Sequence, residues 1–435
     1  MKRFVPLLIL LVGLLLGGYG IFSSAASAQQ SRRTLTRNDV VARFQQRLER
    51  GDVQLEFAET TGYLASVLKL LEVPISSQTL VFSKTSLQSN HISPTNPRAI
   101  YFNDNVYVGW IRGAELIEIA AYDPLLGAEL YVLEQKKSEQ PRFQLGIGCS
   151  GCHVAGNTRF VPGVLMRSIY AASTGSGVGE ARSFITDHTS PFTERWGGWY
   201  VTGTHGATKH LGNMFFSGDT DLDDPAALTG GNLKSLDAKV DLRGYLSPHS
   251  DIVAMMVMSH QTQGQNLISW LGQETRIALK EQEELDKAAQ RPTGEWDAST
   301  KFRINYAVDE LLKYLLFANE AAFEAPITGT NNFAQEFAAL GHKDKQGRSF
   351  RDFDLQRRLF RYPCSYLIYT AAFDQLPKTA LDLLYRKLWL VLSGQNQEKA
   401  FASLTTTDRK AILEILCDTK KNLPDYFHTS KRDTE

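Results

Sequence analysis

Arg98-Ala99-Ile100-Tyr101-Phe102, Val106-Tyr107-Val108-Gly109-Trp110 and Leu116-Ile117-Glu118-Ile119-Ala120-Ala121 follow one another with only turn residues between them. Each run is short and rich in Val, Ile, Tyr and Phe, the side chains that suit a pleated, half-buried surface. Residues 79–82 before them and 129–133 after them read the same way, so the spacing predicts a small antiparallel sheet that ends near Phe143. Upstream, Asn38 is expected to cap an amphipathic helix over 39–50 that Gly51 stops, and a second helix is expected over 61–71.

Downstream the period changes. A short helix is expected over 161–170, followed by a loop, Ser173 to Gly179, and a glycine-rich region reaching about Gly231. Trp196, Trp199, Tyr200, Phe215 and Phe216 favour packing there over disorder. The remainder predicts helices over 250–272, 302–323, 352–360, 364–373, 378–392 and 407–417. The expected class is therefore α+β: a small antiparallel sheet with helices in the N-terminal part, 29–147, and a mainly α-helical part, 148–435, with the boundary just before Cys149.

Composition narrows the function. The 435 residues carry 47 Lys and Arg against 47 Asp and Glu, and 43% are hydrophobic, enough to build an ample core. That balance argues against a nucleic-acid coat, which needs a concentrated basic surface. Only 4 cysteines are present, which excludes a disulfide-stapled mini-fold.

The chain opens with Lys2 and Arg3, an apolar run from Val5 to Leu16, and small residues ending Ala26-Ser27-Ala28. This is the order of a signal peptide over 1–28, and the run is too short and too interrupted by Pro6 for a comfortable span. The expectation is a mature chain without a transmembrane segment, periplasmic or otherwise exported, in an oxidising compartment.

Cys149-Ser150-Gly151-Cys152-His153 carries the chemistry, because Cys-x-x-Cys-His is a c-type haem attachment pattern. Two thiols three positions apart reach the two vinyl groups of one porphyrin, and the adjacent imidazole then lies under the iron. The expected cofactor is one covalent haem c, with His153 as the proximal ligand. A zinc ribbon would need a second cysteine pair, and Cys364 and Cys417 lie far apart. A redox dithiol would sit between a strand and a helix in a βαβ unit, which the surrounding glycines fit poorly.

The sixth ligand decides whether such an iron is closed or open to chemistry. His205, His210 and Met214 are the candidates, His205 and His210 because glycines beside them allow close approach to a flat cofactor, and Met214 because it lies 61 positions after His153. His188, beside Asp187, and His260, on an apolar helix face, are weaker, and a lone His on such a face is more often a satisfied core residue. Asp219 to Asp224 alternates oxygen donors as calcium loops do but lacks the glycine and glutamate of an EF-hand, so it reads as an acidic turn. Cys364 and Cys417 are left over as an even pair that permits one bridge.

The haem string resembles that of c-type cytochromes. Over 98–110, 196–213, 250–261 and 350–369 the chain is also similar to large, secreted, single-haem cytochrome c domain proteins of bacteria. The resemblance implies thioether attachment at Cys149 and Cys152 and iron ligation at His153. It departs from small cytochromes in size and in lacking a Met-bearing loop. The expected function is electron transfer with a redox partner protein and no nucleic acid. The alternative is a haem enzyme, peroxidase-like or oxidising a small molecule, in which His205, Lys209, His210 or Arg195 assists at an open site. A haem-based sensor is a third reading, but no output module is visible.

Overall fold

The computed structural model describes residues 36–146, 148–178, 183–218, 220, 228, 230–292 and 294–429. The expected signal segment, residues 29–35 after it and the acidic turn apart from Thr220 lie outside the described residues.

The alternating runs become strands β1 (Thr79–Val81), β2 (Arg98–Phe102), β3 (Val106–Trp110), β4 (Leu116–Asp123), β5 (Gly127–Glu134) and β6 (Phe143–Leu145). β7 (Arg167–Ile169) and β8 (Ser183–Ile185) pair only with each other, whereas β9 (Trp199–Tyr200) joins the first six. The result is a seven-stranded antiparallel sheet in the order β6-β5-β4-β3-β2-β1-β9, so the fold is α+β. β9 crosses the boundary drawn before Cys149, pairing Tyr200 with Leu80 and Trp199 with Val81.

Side chains alternate across this sheet with period two. One face, including Tyr101, Val108, Trp110, Ile117, Ile119 and Leu133, packs beneath α1 (Val40–Glu49) and α2 (Leu64–Leu70). The other, including Phe102, Tyr107, Ala120, Tyr122 and Ala128, packs against the helical remainder. Every residue of β3 is buried, as expected of a strand covered on both faces.

The central helix of the second layer is α4 (Ile252–Ala288), 37 residues long. It begins at Asp251, whose carboxylate accepts from the Val253 and Ala254 backbone amides at 2.8 and 3.2 Å. Ser250, the expected start, instead donates to the Tyr200 carbonyl at 2.6 Å and accepts from Leu80 N at 2.9 Å, tying the helix entry to β1 and β9. The helix continues past Gly272 because the following residues are rich in Gln, Glu, Lys and Ala, all good helix formers. α5 (Ala298–Leu315) packs along it, with Gly264 at the contact: a Cβ there would fall 2.3 Å from Leu367 Cδ1 and 3.2 Å from Tyr314 Cε1. α6 (Phe333–Ala339), α7 (Ala371–Asp374), α8 (Lys378–Leu392) and α9 (Thr406–Thr419) complete the layer.

Four local expectations are corrected. The cap of α1 is Asp39, which accepts from Val41 N and Ala42 N, while Asn38 N donates to Asp123. No helix forms over 161–170, where Arg159 and Phe160 take left-handed φ of 54° and 61° and the chain then extends into β7. Nor does one form over 352–360, where Phe353 and Phe360 bridge and stack at 5.2 Å around Leu355 at φ 55°. Residues 364–373 hold a short 3₁₀ turn, Tyr366–Tyr369, and then α7, capped by Thr370.

Gln261, Gln265 and Asn266 of α4 reach the sheet side and are partnered there. Tyr107 donates to Gln265 Oε1 at 2.8 Å, Tyr122 donates to Asn266 Oδ1 at 2.9 Å, and Gln261 Nε2 donates to the Asn103 carbonyl at 2.8 Å. Asn266 Nδ2 also donates to the Val164 carbonyl at 2.9 Å. Asn266→Ala would leave the Tyr122 O–H without its acceptor, although the oxygen still accepts from Val164 N, and the Val164 carbonyl without its donor, and is expected to cost about 2–3 kcal/mol of unfolding free energy. Urea titration reads this as a lower midpoint at unchanged slope.

Candidate functional site

The Cys149–His153 segment leaves the sheet at its β6 edge. Gly146 N donates to the Leu130 carbonyl at 2.9 Å, and Gly148, at φ 83°, turns the chain into α3 (Ser150–His153), a single helical turn. The amides of Cys152 and His153 both donate to the Cys149 carbonyl, at 3.3 and 3.2 Å. This puts the two cysteines one turn apart, where residues three apart share a face. They are not bridged, Cys149 being half-buried and Cys152 exposed. Gly146 makes room for Cys149, since a Cβ there would lie 2.6 Å from its sulfur. Burial, and then the charge of Glu118, push the Cys149 thiol above its usual value. A redox-active dithiol needs the opposite shift.

His153 is clasped to Gly163. Its Nδ1–H donates to the Gly163 carbonyl at 2.7 Å, and Gly163 N donates back to the His153 carbonyl at 2.9 Å. A carbonyl can only accept, so the proton is on Nδ1 and the lone pair on Nε2. Burial, reinforced by Arg98, lowers the imidazole pKa and keeps the ring neutral. Gly163 is itself positioned by Asn266, which a Cβ there would strike at 2.1 Å. The ring orientation is therefore set from α4. Arg159, in the loop between His153 and Gly163, is anchored to Glu310 at 3.0 Å and lies over the Trp270 ring at 4.3 Å.

A charged pair also acts on this turn. Arg98 and Glu118, 2.7 Å apart, bond across Gly109 on the helix-facing side of the sheet. Ser86 Oγ and Gln88 Nε2 donate to the Glu118 carboxylate, at 3.0 and 3.3 Å. Both charges contribute to the fields at Cys149 and His153. Leu145 and Phe160, on either side of the motif in sequence, are exposed. The donor set fits a covalently held haem: two unbridged thiols on one turn, a neutral imidazole with Nε2 available, and apolar surface nearby. Cys149 and Cys152 would tether the group and His153 would ligate it.

Of the distal candidates, His205 and His210 are brought together with each other. His205 and His210 are buried with their Nε2 atoms 3.1 Å apart. His210 Nδ1 accepts from Gly212 N at 3.0 Å, so its Nε2–H donates to His205 Nε2, and His205 carries its proton on Nδ1. That Nδ1 is buried with no hydrogen-bond partner. Met214 lies in an apolar cluster with Tyr170, Leu211, Phe216 and Leu228. Among the described residues, no hydrogen bond or ring contact joins these three to Cys149, Cys152 or His153.

His188 and His260 form a second pair, Nδ1 to Nδ1 at 2.9 Å, and His260 Nε2 lies 2.8 Å from Ser365 Oγ. His260 is thus a satisfied core residue, stacked on Tyr314 and Phe317. Arg195 donates to the carbonyls of Ser190 and His188, and Lys209 Nζ donates to the Leu228 carbonyl at 2.9 Å. Cys364 is buried, and the Cys417 thiol donates to the Phe427 carbonyl at 3.4 Å, so these two are not bridged to each other. Among the described residues, no group of three or more His, Cys, Asp or Glu is placed to hold a metal ion.

Two participants escaped sequence reading. Gly163 and Asn266 have no motif, and only the ten-residue return of the chain onto His153 reveals them. No protein-family model, no curated protein and no solved structure matches the chain.

The paired imidazoles make stability acid-sensitive. Burial pushes His188 and His210 down to about 3 from 6.5, and His260 well below 6.5. Above pH 6.5 folded and unfolded chains hold these rings equally neutral. Below it the unfolded chain takes up protons that the folded chain refuses, so stability falls towards pH 3. Buried Glu320, raised to about 7, and Asp251, also raised by burial, work in the opposite sense, but as two carboxyls against five lowered imidazoles, His153 and His205 being lowered by burial as well. The melting temperature is expected to begin falling near pH 6, above the range where ordinary carboxylates titrate. A flat profile down to pH 5 would contradict this account.

Proposed function

We propose that the chain is an exported, single-haem c-type cytochrome that transfers electrons to and from a partner protein. The observation that carries this reading is the Cys149–His153 turn, in which two thiols share one helical turn and the imidazole proton is committed to Gly163, leaving Nε2 for iron. Bound haem c would supply an iron that alternates between ferric and ferrous states. The chain's own part is to hold and tune it. The Gly163 carbonyl fixes the imidazole and raises its basicity as a ligand, as second partners of metal-bound histidines do. The Arg98–Glu118 pair sets a fixed local field, and the sheet edge and α4 keep the turn from moving.

Arg195 and Lys209 have their polar atoms engaged by backbone carbonyls, and His205, His210, His188 and His260 are paired off, which supports electron transfer over bond chemistry. Export is supported by the N-terminal sequence, and no described helix is long and apolar enough to cross a membrane. A chain this much larger than the roughly 100 residues that enclose a small domain's core has surface to spare for a docking partner.

Expression with haem-c maturation machinery, followed by intact mass and a pyridine haemochrome spectrum, tests the reading. The expected result is one haem, retained under denaturing conditions. Cys149→Ser with Cys152→Ser should abolish attachment, whereas His153→Ala should keep a covalent haem with an altered iron spectrum. Colourless protein, or pigment extracted by acidified acetone, would overturn the proposal.

A further inference from the structure

Backbone at φ near +60° is unfavourable for any residue with a Cβ, and a fold that accepts it offsets the strain through some other interaction. Among the described residues four large apolar ones accept it: Trp196 at 67°, Phe317 at 54°, Leu355 at 55° and Phe160 at 61°. Trp196 and Phe317 are buried in the core and Leu355 packs against it, so apolar burial offsets their strain. Phe160 has no such compensation. It is 66% exposed, and of the large apolar side chains exposed among the described residues it alone has left-handed backbone.

The strained conformation is held from several sides. Phe160 N donates to the Ala155 carbonyl at 2.9 Å, and Val161 N donates to the Thr158 carbonyl at 3.1 Å. Arg159, itself at φ 54°, is fixed by Glu310 and by the Trp270 ring. The Phe160 ring folds back over the 3₁₀ turn Gly156–Thr158, since a Cβ on Gly156 would lie 3.9 Å from its Cζ.

That turn begins three residues after His153, inside the loop that His153 and Gly163 close by their two hydrogen bonds. Gly151, Cys152, Gly156, Asn157 and Phe160 are all exposed, so the ring and the Cys152 thiol reach the surface of one short segment. A Cβ on Gly148 or Gly151 would meet nothing within 4 Å, which leaves space beside the attachment turn. A group tethered at Cys149 and Cys152 lies at that surface. A porphyrin is flat and largely apolar, and burying an aromatic ring against it would supply the compensation that Phe160 lacks.

We propose, resting on the cytochrome reading, that Phe160 is a haem-packing residue, an aromatic ring held ready on a strained loop to shield the porphyrin from water. The test compares the full chain made with and without haem-c maturation machinery. In the unloaded chain Phe160→Gly relieves strain and removes an exposed ring, so its melting temperature should equal or exceed that of the wild type. In the loaded chain the same substitution removes a contact and admits water, which favours the more highly charged ferric state. The loaded melting temperature should then fall below wild type, and the ferrous-to-ferric ratio at a fixed poise should fall by at least about threefold. Phe160→Asn, whose side chain is polar and tolerates left-handed backbone, should follow Phe160→Gly and decides the matter if that variant does not load. Phe160→Tyr keeps the ring and should retain both loaded values. A merely structural role would lower the melting temperature in both forms. That result, or loaded variants with wild-type melting temperature and midpoint potential, would overturn the proposal and leave the cytochrome reading standing. A wild-type chain that takes up no haem would overturn both.

Discussion

A helix enclosed on every side must find partners within the protein for every polar group it carries, and α4 is enclosed along its first three turns, where each residue from Ile252 to Thr262 is buried. Its amide side chains meet this constraint by reaching the β2–β3 turn on one side and the 3₁₀ turn at Tyr366 on the other. Gln265 Nε2 donates to the Asp104 carbonyl at 2.7 Å, and Gln261 Oε1 accepts from the Tyr366 hydroxyl at 2.7 Å. Apolar packing between two layers tolerates sliding, whereas a set of directed bonds admits one register. The position of α4 over β3 and β4 is therefore specified by hydrogen bonds and stabilised by burial.

The same logic accounts for the histidines. A buried imidazole is tolerable when neutral and bonded, and pairing two rings lets each supply what the other lacks. His210 donates because Gly212 occupies its other nitrogen, and His205 can then only accept. The arrangement concentrates nitrogen atoms in the interior without concentrating charge. The attachment turn differs: His153 is bonded to a backbone carbonyl and not to another imidazole, so its second nitrogen is not consumed by a partner ring.

Much of the fold was legible in the sequence, for identifiable reasons. Strands β2 and β3 fall where the β-branched and aromatic runs predict, because no proline interrupts either run and the single glycine, Gly109, sits among strong strand formers. The helix over 378–392 was equally plain, having a clear apolar face and Pro377 in front of it. β9 was not legible: two aromatic residues acquire strand character only because β1 offers an edge. The helix expected over 352–360 failed because stacking of Phe353 on Phe360 outweighed local periodicity. At the site, the cysteines and His153 were readable as a string, and the support from Gly163 and Asn266 was not, since it arises from a chain return and a distant helix.

β9 also gives the molecule a temporal order. The sheet has an open side next to β1 until residues 199–200 arrive, and its second face is bare until residues 252–288 have been made. A polypeptide emerging from its N-terminus displays residues 149–153 before either cover exists. The sulfur of Cys149, half-buried in the finished protein, passes through an interval of open access. Whatever reacts with it has its best opportunity while the rest of the molecule is still unmade.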